Sequence, residues 1–429
     1  MNESPAEAPP RRRGGVSFWR WCALGSVALG LAVCSLLLLL VRAGSASSTG
    51  HASSVPAVVV LDPQKVSSVT RSYCALMYAV YSDGVVLAKE LKAAVDRFLG
   101  DPTAENLEAC KAAWRKARPF YLQSEIGRFY EGPIDLVESF INSWPLDESA
   151  IDYVAGKPDA GIINDPRNFP SLDPPVLRSA NERSGETNIT TGWHAIEFLL
   201  WGQDLVLGPG GGSRSHLDYV IGGGTAANEA RRRKYLEITV DMLVADLDSV
   251  AQAWAPGKPD NYAFWLSGLA PRIALSKIMS GVATMAFGEL RGERLVVPFT
   301  TKDREDEHSC FSDTTHLDHL NDMIGIRNVW EGRYRSGSGA HDYAGPGLRD
   351  LAAPAEPRIA GEVEASIDAC IESLSDPRLN PFESAIRGED SAPGRVAIQR
   401  GINRLSEFTR SFLLLAARMN VRINSSLRK

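Results

Sequence analysis

His194 and Glu197 are the only ionisable side chains in the run Gly192-Trp193-His194-Ala195-Ile196-Glu197-Phe198-Leu199-Leu200-Trp201-Gly202. A helix that is apolar on nearly every side is a buried helix. A buried imidazole and carboxylate need partners, because an unpaired buried charge costs on the order of several kcal/mol. At i,i+3 spacing the two share a face and reach a common point. That point is either a metal ion or each other. Zinc, copper and iron all accept imidazole with carboxylate. Two ligands do not make a tight site, so further ligands must come from elsewhere in the chain.

The segment Glu305-Asp306-Glu307-His308-Ser309-Cys310-Phe311-Ser312-Asp313-Thr314-Thr315-His316-Leu317-Asp318-His319 is the best source, since three of the seven histidines fall in it. Asp306, His308, Asp313 or His316 would complete the pocket begun by His194 and Glu197. The competing reading is an acidic loop and a helix capped by Asp313, with solvated histidines; His316 and His319 share one face at i,i+3. A third cluster is Trp114, Arg115, Arg118, Tyr121, Glu125 and Arg128. Trp114 and Arg118 stack at i,i+4, and arginines beside Glu125 read equally as structural ion pairs. No HExxH helix, G-x-S-x-G elbow or P-loop occurs. Gly208–Gly212 lacks the Lys and Ser/Thr of a phosphate loop and reads as flexible.

The elements that must position these residues are helical. Apolar residues recur at helical spacing over Val66–Leu99, and Gly100-Asp101-Pro102 ends the run. Thr103 caps a second helix that Pro119 ends or kinks. Short helices are expected at Ile134–Ile141 and Asp147–Val154, then an irregular stretch from Gly156 to Thr191. Thr191 is placed to cap the apolar helix. Amphipathic helices follow over Ala226–Trp254, within Asn261–Leu290, and at Ala360–Leu374 and Val396–Ile423. Strand-like patterning is nearly absent, with Val296-Val297-Pro298-Phe299 its best instance. Helices with short connections bury their stripes by bundling. The reading is all-α, with a first helical bundle over residues 61–225 and a second over 226–429.

Arg11, Arg12, Arg13 and Arg20 precede an uncharged run from Trp21 to Val41. At about 1.5 Å per residue this run spans a bilayer core of about 30 Å. Residues 1–20 are then cytoplasmic, 21–41 a transmembrane anchor in the inner membrane, 42–60 a flexible linker, and the rest extracytoplasmic. The alternative makes 21–41 a signal h-region cut near Gly44-Ser45-Ala46, releasing the chain to the periplasm. Such a compartment permits disulfides among Cys74, Cys110, Cys310 and Cys370; buried thiols are the other reading. A net charge of −6 gives none of the basic excess expected of a nucleic-acid surface.

Together these segments resemble the imelysin family, also called the M75 peptidase family, which includes iron-regulated protein A. The resemblance is carried by Trp114–Tyr121, Gln123-Ser124-Glu125, Arg128-Phe129-Tyr130-Glu131-Gly132-Pro133-Ile134-Asp135, Trp144-Pro145-Leu146-Asp147-Glu148, Ile151-Asp152-Tyr153, Asn188–Asp204 and Glu305–His316, in that order. It implies two helical bundles side by side with a site between them. It also implies an envelope protein linked to iron acquisition, with iron-transport or haem proteins of the envelope as partners. His194 and Glu197 fall on the family's G-x-H-x-x-E motif, the basis of its metallopeptidase label. Thr314 stands where Asn is expected, the stretch between Asp135 and Trp144 is short, and Gly156–Glu186 diverges.

The expected function is binding of a divalent metal, iron or alternatively zinc or copper, in envelope iron handling. His194 and Glu197 would be ligands, Asp306, His308, Asp313 or His316 would add to the site, and Glu125 or Arg118 would orient it. One alternative is an M75-type metallopeptidase on the same residues. Another is a non-enzymatic module that binds an organic ligand or a protein partner. A zinc peptidase needs about three protein ligands, an open water position and a general base. A Glu197 that ligates metal does not readily serve as that base, so the sequence leaves catalysis open.

Overall fold

Eight long helices carry the chain in the computed structural model, which describes residues 59–424. The N-terminal arginines, the apolar run and nearly all of the linker lie outside the described residues, and the anchor and signal expectations lie there with them.

Helix α1 (Pro63–Gly100) starts where the Asp62 carboxylate accepts the Gln64 N–H, with Pro63 in the first turn. Helix α2 (Ala104–Leu122) is capped by the Thr103 hydroxyl as expected. Pro119 does not end α2. It sits in the last turn, where it removes one N–H from the i→i−4 ladder, and the helix still runs on to Leu122. Helix α3 (Gly192–Trp201) follows, with every residue buried. Thr191 precedes it but does not cap it, because its hydroxyl donates to the Phe140 carbonyl at 3.0 Å. Gly192 is required here. Its φ is +89°, and a Cβ would lie 2.3 Å from the Ile141 carbonyl oxygen.

The second half supplies α4 (Glu229–Trp254), α5 (Pro271–Thr301), α6 (Thr315–Glu331), α7 (Pro357–Leu374) and α8 (Pro393–Arg418). Helix α5 is long and apolar enough to cross a bilayer, yet it is mostly buried among its neighbours. Its middle, Met285–Val296, winds as a π-helix. The Val296–Phe299 run expected as strand-like is helical instead, Pro298 lying in the first turn of the segment that completes α5. The two strands among the described residues, β1 (Arg333–Tyr334) and β2 (Tyr343–Ala344), pair antiparallel after α6.

The stretch from 147 to 191 differs in detail. Only a single 3₁₀ turn, Glu148–Ala150, forms in the first expected helix, while short helices at Gly161–Asn164 and Pro174–Ala180 interrupt the stretch expected to be irregular. The four cysteines are free thiols; Cys74, Cys110 and Cys370 are buried and Cys310 is half-buried.

Packing sorts the helices into two sets. Helix α1 packs mainly on α2 and α4, and α3 fits against α2 and α4. In the other set α7 lies on α8, α8 on the π segment of α5, and α6 on α7. The sets meet where α5 crosses α1 and where α6 crosses α2. Trp193, Ile196, Phe198, Leu199, Leu200 and Trp201 are wholly buried. At about 1.5–3 kcal/mol for each large apolar side chain, α3 is held rigidly beside that junction.

Candidate functional site

His194 and Glu197 first satisfy each other. Their one-turn spacing brings His194 Nδ1 to 3.0 Å from Glu197 Oε2. The other carboxylate oxygen, Oε1, accepts the Ser312 N–H at 2.9 Å and its hydroxyl at 2.7 Å. The segment before α6 therefore holds Glu197 from across the junction.

The next contacts converge on Arg118, which α2 projects into the same point. Its Nη2 lies 3.2 Å from His194 Nε2, 3.3 Å from His308 Nδ1 and 3.1 Å from Asp318 Oδ2. A guanidinium only donates. His194 therefore presents an Nε2 lone pair and keeps its proton on Nδ1, facing Glu197. The shortest of the His308 contacts, 2.7 Å from Nδ1 to Asp318 Oδ2, assigns Nδ1–H to the carboxylate and the lone pair to Nε2. The imidazoles of His194 and His308 meet edge to face with centroids 4.8 Å apart. Ser309 Oγ donates to Asp318 Oδ2 at 2.6 Å, while Asp318 Oδ1 has no hydrogen-bond partner. Arg118, His194, Glu197, His308 and Asp318 are each at most 2% exposed.

Aromatic rings wall the cluster and set its polarity. The Arg118 guanidinium lies 5.8 Å from the Trp114 ring centre, 5.5 Å from Tyr121 and 5.9 Å from Trp193. Trp144 lies edge to face with His308 and donates Nε1–H to the Glu307 carbonyl at 2.6 Å. Burial, and then the Arg118 charge, pushes the His194 imidazolium well below its ordinary range. Burial, and then the Arg294 and Arg118 charges, does the same to His308. Both rings are neutral at physiological pH. Burial pushes Glu197 up to about 8, with the Ser312 donors pulling the other way.

Glu125 sits one layer out. Arg118 donates Nη1–H to Asn142 Oδ1, and Asn142 Nδ2 donates to Glu125 Oε1 at 2.8 Å. Burial would raise the Glu125 pKa, but Arg294, Arg128 and Arg118 outweigh it and hold the carboxyl below its ordinary value. Arg294 reaches Glu125 from α5 and also donates to Asp322 Oδ2 at 2.8 Å. The π winding makes this possible, since it places Glu289 and Arg294, five residues apart, on one face with Arg294 Nη2 2.9 Å from Glu289 Oε1.

The other expected residues lie elsewhere. Asp306 takes the Thr301 hydroxyl at 2.6 Å, away from the imidazoles. Asp313 does not cap α6; it has φ +57°, and its Oδ2 accepts the N–H groups of Gly210 and Gly211 at 2.7 Å. The glycine loop is thus tied down rather than free, and a Cβ on Gly211 would lie 2.2 Å from the Phe311 carbonyl oxygen. His316 is half-buried, with Nδ1 unpartnered. His319, on the same helical face, packs edge to face on Phe382.

Sequence reasoning did not single out Asp318, Ser309, Ser312, Asn142 or Arg294. One signal was present: Asp318 and Asp322 stand i,i+4 on α6, two acids that need cations from other helices. The cluster, with two neutral imidazoles, two carboxylates and an orphaned carboxylate oxygen, matches the donor set for a borderline divalent metal such as iron or zinc. His194, Glu197, His308 and Asp318 are the residues that would hold it.

Comparison with known proteins gives a consistent result. A family model described as imelysin, Peptidase_M75, matches residues 77–412. Iron-regulated protein A of Synechococcus elongatus (strain ATCC 33912 / PCC 7942 / FACHB-805) is 24% identical over 264 residues, 59% of this chain and 60% of that protein. The chain thus spans about 60% of the length of this curated relative. The fold is shared with an iron-regulated protein A precursor from Parabacteroides distasonis ATCC 8503. That match has a TM-score of 0.63 at 17% identity and covers 83% of this chain and 96% of that one. An imelysin-like protein from Psychrobacter arcticum 273-4 superposes with a TM-score of 0.58 at 12% identity, covering 86% and 99%.

Proposed function

Because the chain belongs to the imelysin family, we propose that it binds a divalent metal, iron before zinc or copper, and serves iron handling in the cell envelope. One observation carries this reading. The His194 Nε2 lone pair and the Asp318 carboxylate converge, with His308 beside them, on a point that already holds a positive charge, the Arg118 guanidinium. A metal on His194 Nε2 would replace that guanidinium contact, and the unpartnered Asp318 Oδ1 supplies a further donor. The metal would bridge the two helix sets. Residues 21–41 are taken as an inner-membrane anchor, cleavage releasing the chain to the periplasm being the alternative. Iron-transport or haem proteins of the envelope are the proposed partners.

The chemistry supports coordination over hydrolysis. Both Glu197 oxygens are engaged, one by His194 and one by Ser312. That leaves no carboxylate at the pair free to act as a general base. The test is metal content and affinity of the full-length chain in detergent, for wild type, His194→Ala, Glu197→Ala and Arg118→Gln. The two alanine variants should lose the metal. Arg118→Gln should be destabilised by about 3–5 kcal/mol in chelator, because it leaves Asp318 without its countercharge, and should recover when iron(II) or zinc is added. Unchanged metal content in both alanine variants would sink the proposal. Cleavage of a mixed peptide library by the metal-loaded wild type, but not by the alanine variants, would turn it into the peptidase reading.

A further inference from the structure

The glycine loop after α3, the segment before α6 and the short helix Phe382–Ala385 meet at a second acidic cluster. Asp204, Asp313 and Glu383 each offer a carboxylate oxygen, and these oxygens lie within 4.8 Å of one another. None is a freely solvated surface acid: Glu383 is 2% exposed, Asp313 is 8% exposed, and the Asp204 side chain is 4% exposed. Backbone donors fix two of them. Gly208 N–H reaches Glu383 Oε1 at 2.6 Å, and Gly210 and Gly211 reach Asp313 Oδ2.

Three acids gathered in one place are not by themselves a site. The independent observation is Glu307. It is 1% exposed, and its Oε1 has no hydrogen-bond partner. The charges that act on it most are those of Glu383 and Asp313, which, after burial, push its carboxyl well above the ordinary range. Glu383 Oε2 also lacks a hydrogen bond. The cation at hand is Arg304, paired with Asp204 Oδ2 and lying 3.2 Å from Glu383 Oε2. That guanidinium pairs with two of these carboxylates, in a place where uncompensated charge is costly.

We propose that Asp204, Asp313 and Glu383 bind a hard divalent cation, calcium, with Glu307 as the fourth carboxylate. The donors are all oxygen, which selects hard cations over the imidazole-loving metals of the His194 site. They come from separate segments with no regular arrangement, which suits the adaptable shell of calcium better than the strict octahedron of magnesium. The ion ties the Gly208–Gly212 loop to the segment that carries Ser312. It therefore braces the two donors that hold Glu197, and it is a structural site distinct from the His194 cluster.

Equilibrium dialysis of the full-length, chelator-treated chain in detergent against calcium tests this. Wild type should take up one calcium per chain and melt at a higher temperature with calcium than with chelator. Glu383→Gln should bind at least about tenfold more weakly, a loss seen even for outer-shell partners. Glu307→Gln, which keeps the shape of a carboxyl whose Oε1 has no partner and should fold, serves if Glu383→Gln does not. No uptake by wild type at millimolar calcium would overturn the proposal. Binding unchanged in both variants would overturn it too, and equal competition by magnesium would overturn the assignment to calcium.

Discussion

His319 shows what burial does to a single side chain. The ring is wholly buried, sits edge to face on Phe382 at 4.8 Å, and neither ring nitrogen has a hydrogen-bond partner. Burial pushes its pKa down to about 3, against the pull of Asp318. For a base depressed in the folded state the neutral ring is the folded form. Its contribution to stability is complete above the ordinary value near 6.5 and is lost as pH falls from there toward about 3. Replacing it with leucine removes that titration. Urea unfolding at pH 7.5, 6 and 5 should show wild type losing stability relative to His319→Leu on the acid side, by up to about 1.4 kcal/mol per pH unit. Parallel pH profiles would refute the assignment. The contrast with His194 explains what the sequence discloses. His194 and Glu197 are legible because everything around them in the chain is apolar. His319 lies among Asp318, Asn321 and Asp322, and nothing in that local pattern reveals that its ring faces an aromatic side chain more than sixty residues away.

The connecting segments between helices are held by a buried ion network whose members are far apart in sequence. Asp152 accepts Arg232 Nε at 2.6 Å and Nη2 at 2.9 Å, a two-pronged pairing, and also Arg214 Nη1 at 2.8 Å. The Asp152 and Arg232 side chains are wholly buried, and that of Arg214 is nearly so. Burial would raise the Asp152 pKa, but the two arginines hold it below its ordinary value. The network ties the 147–165 segment and the loop before α4 to α4 itself. Asp152→Ala should lower the stability of the chain by about 3–5 kcal/mol, because it strands the buried Arg232 guanidinium and leaves Arg214 only Asp218 at 3.4 Å. Thermal melts should show this at pH 7, and a loss under about 1 kcal/mol, the scale of exposed pairs, would refute it. The long helices were legible from periodicity, caps and stops. This stretch was not, because its order comes from partners 62 and 80 residues distant and leaves no spacing to read.

At the scale of the molecule, two charged clasps cross the junction between the helix sets: Arg118 of α2 with Asp318 of α6, and Arg294 of α5 with Glu125. The sequence marked Glu125 and Arg118 but not the far halves, since which helix crosses which is decided by packing rather than by local pattern. Arg294 is the better probe because it touches neither His194 nor Glu197. Arg294→Met leaves Glu125 with Arg128, Asn142 and Tyr121, but strips Asp322 of the cation that ion-pairs with it. Losing one partner of a buried pair costs about 3–5 kcal/mol, which for a chain this long is a fall in Tm of roughly 5 °C. Burial already pushes Asp322 well above the usual carboxylate range even with Arg294 beside it. Without Arg294 the carboxyl is protonated in the fold over a wider range, so its contribution is kept at low pH and lost as pH rises. Calorimetry of Arg294→Met should therefore show a larger deficit against wild type at pH 8 than at pH 5. The deficit should appear as early melting of one helix set, because one of the two clasps that couple the sets is gone. A deficit independent of pH would mean that the cost lies in the lost packing of the arginine stem and not in the charge of its Asp322 partner.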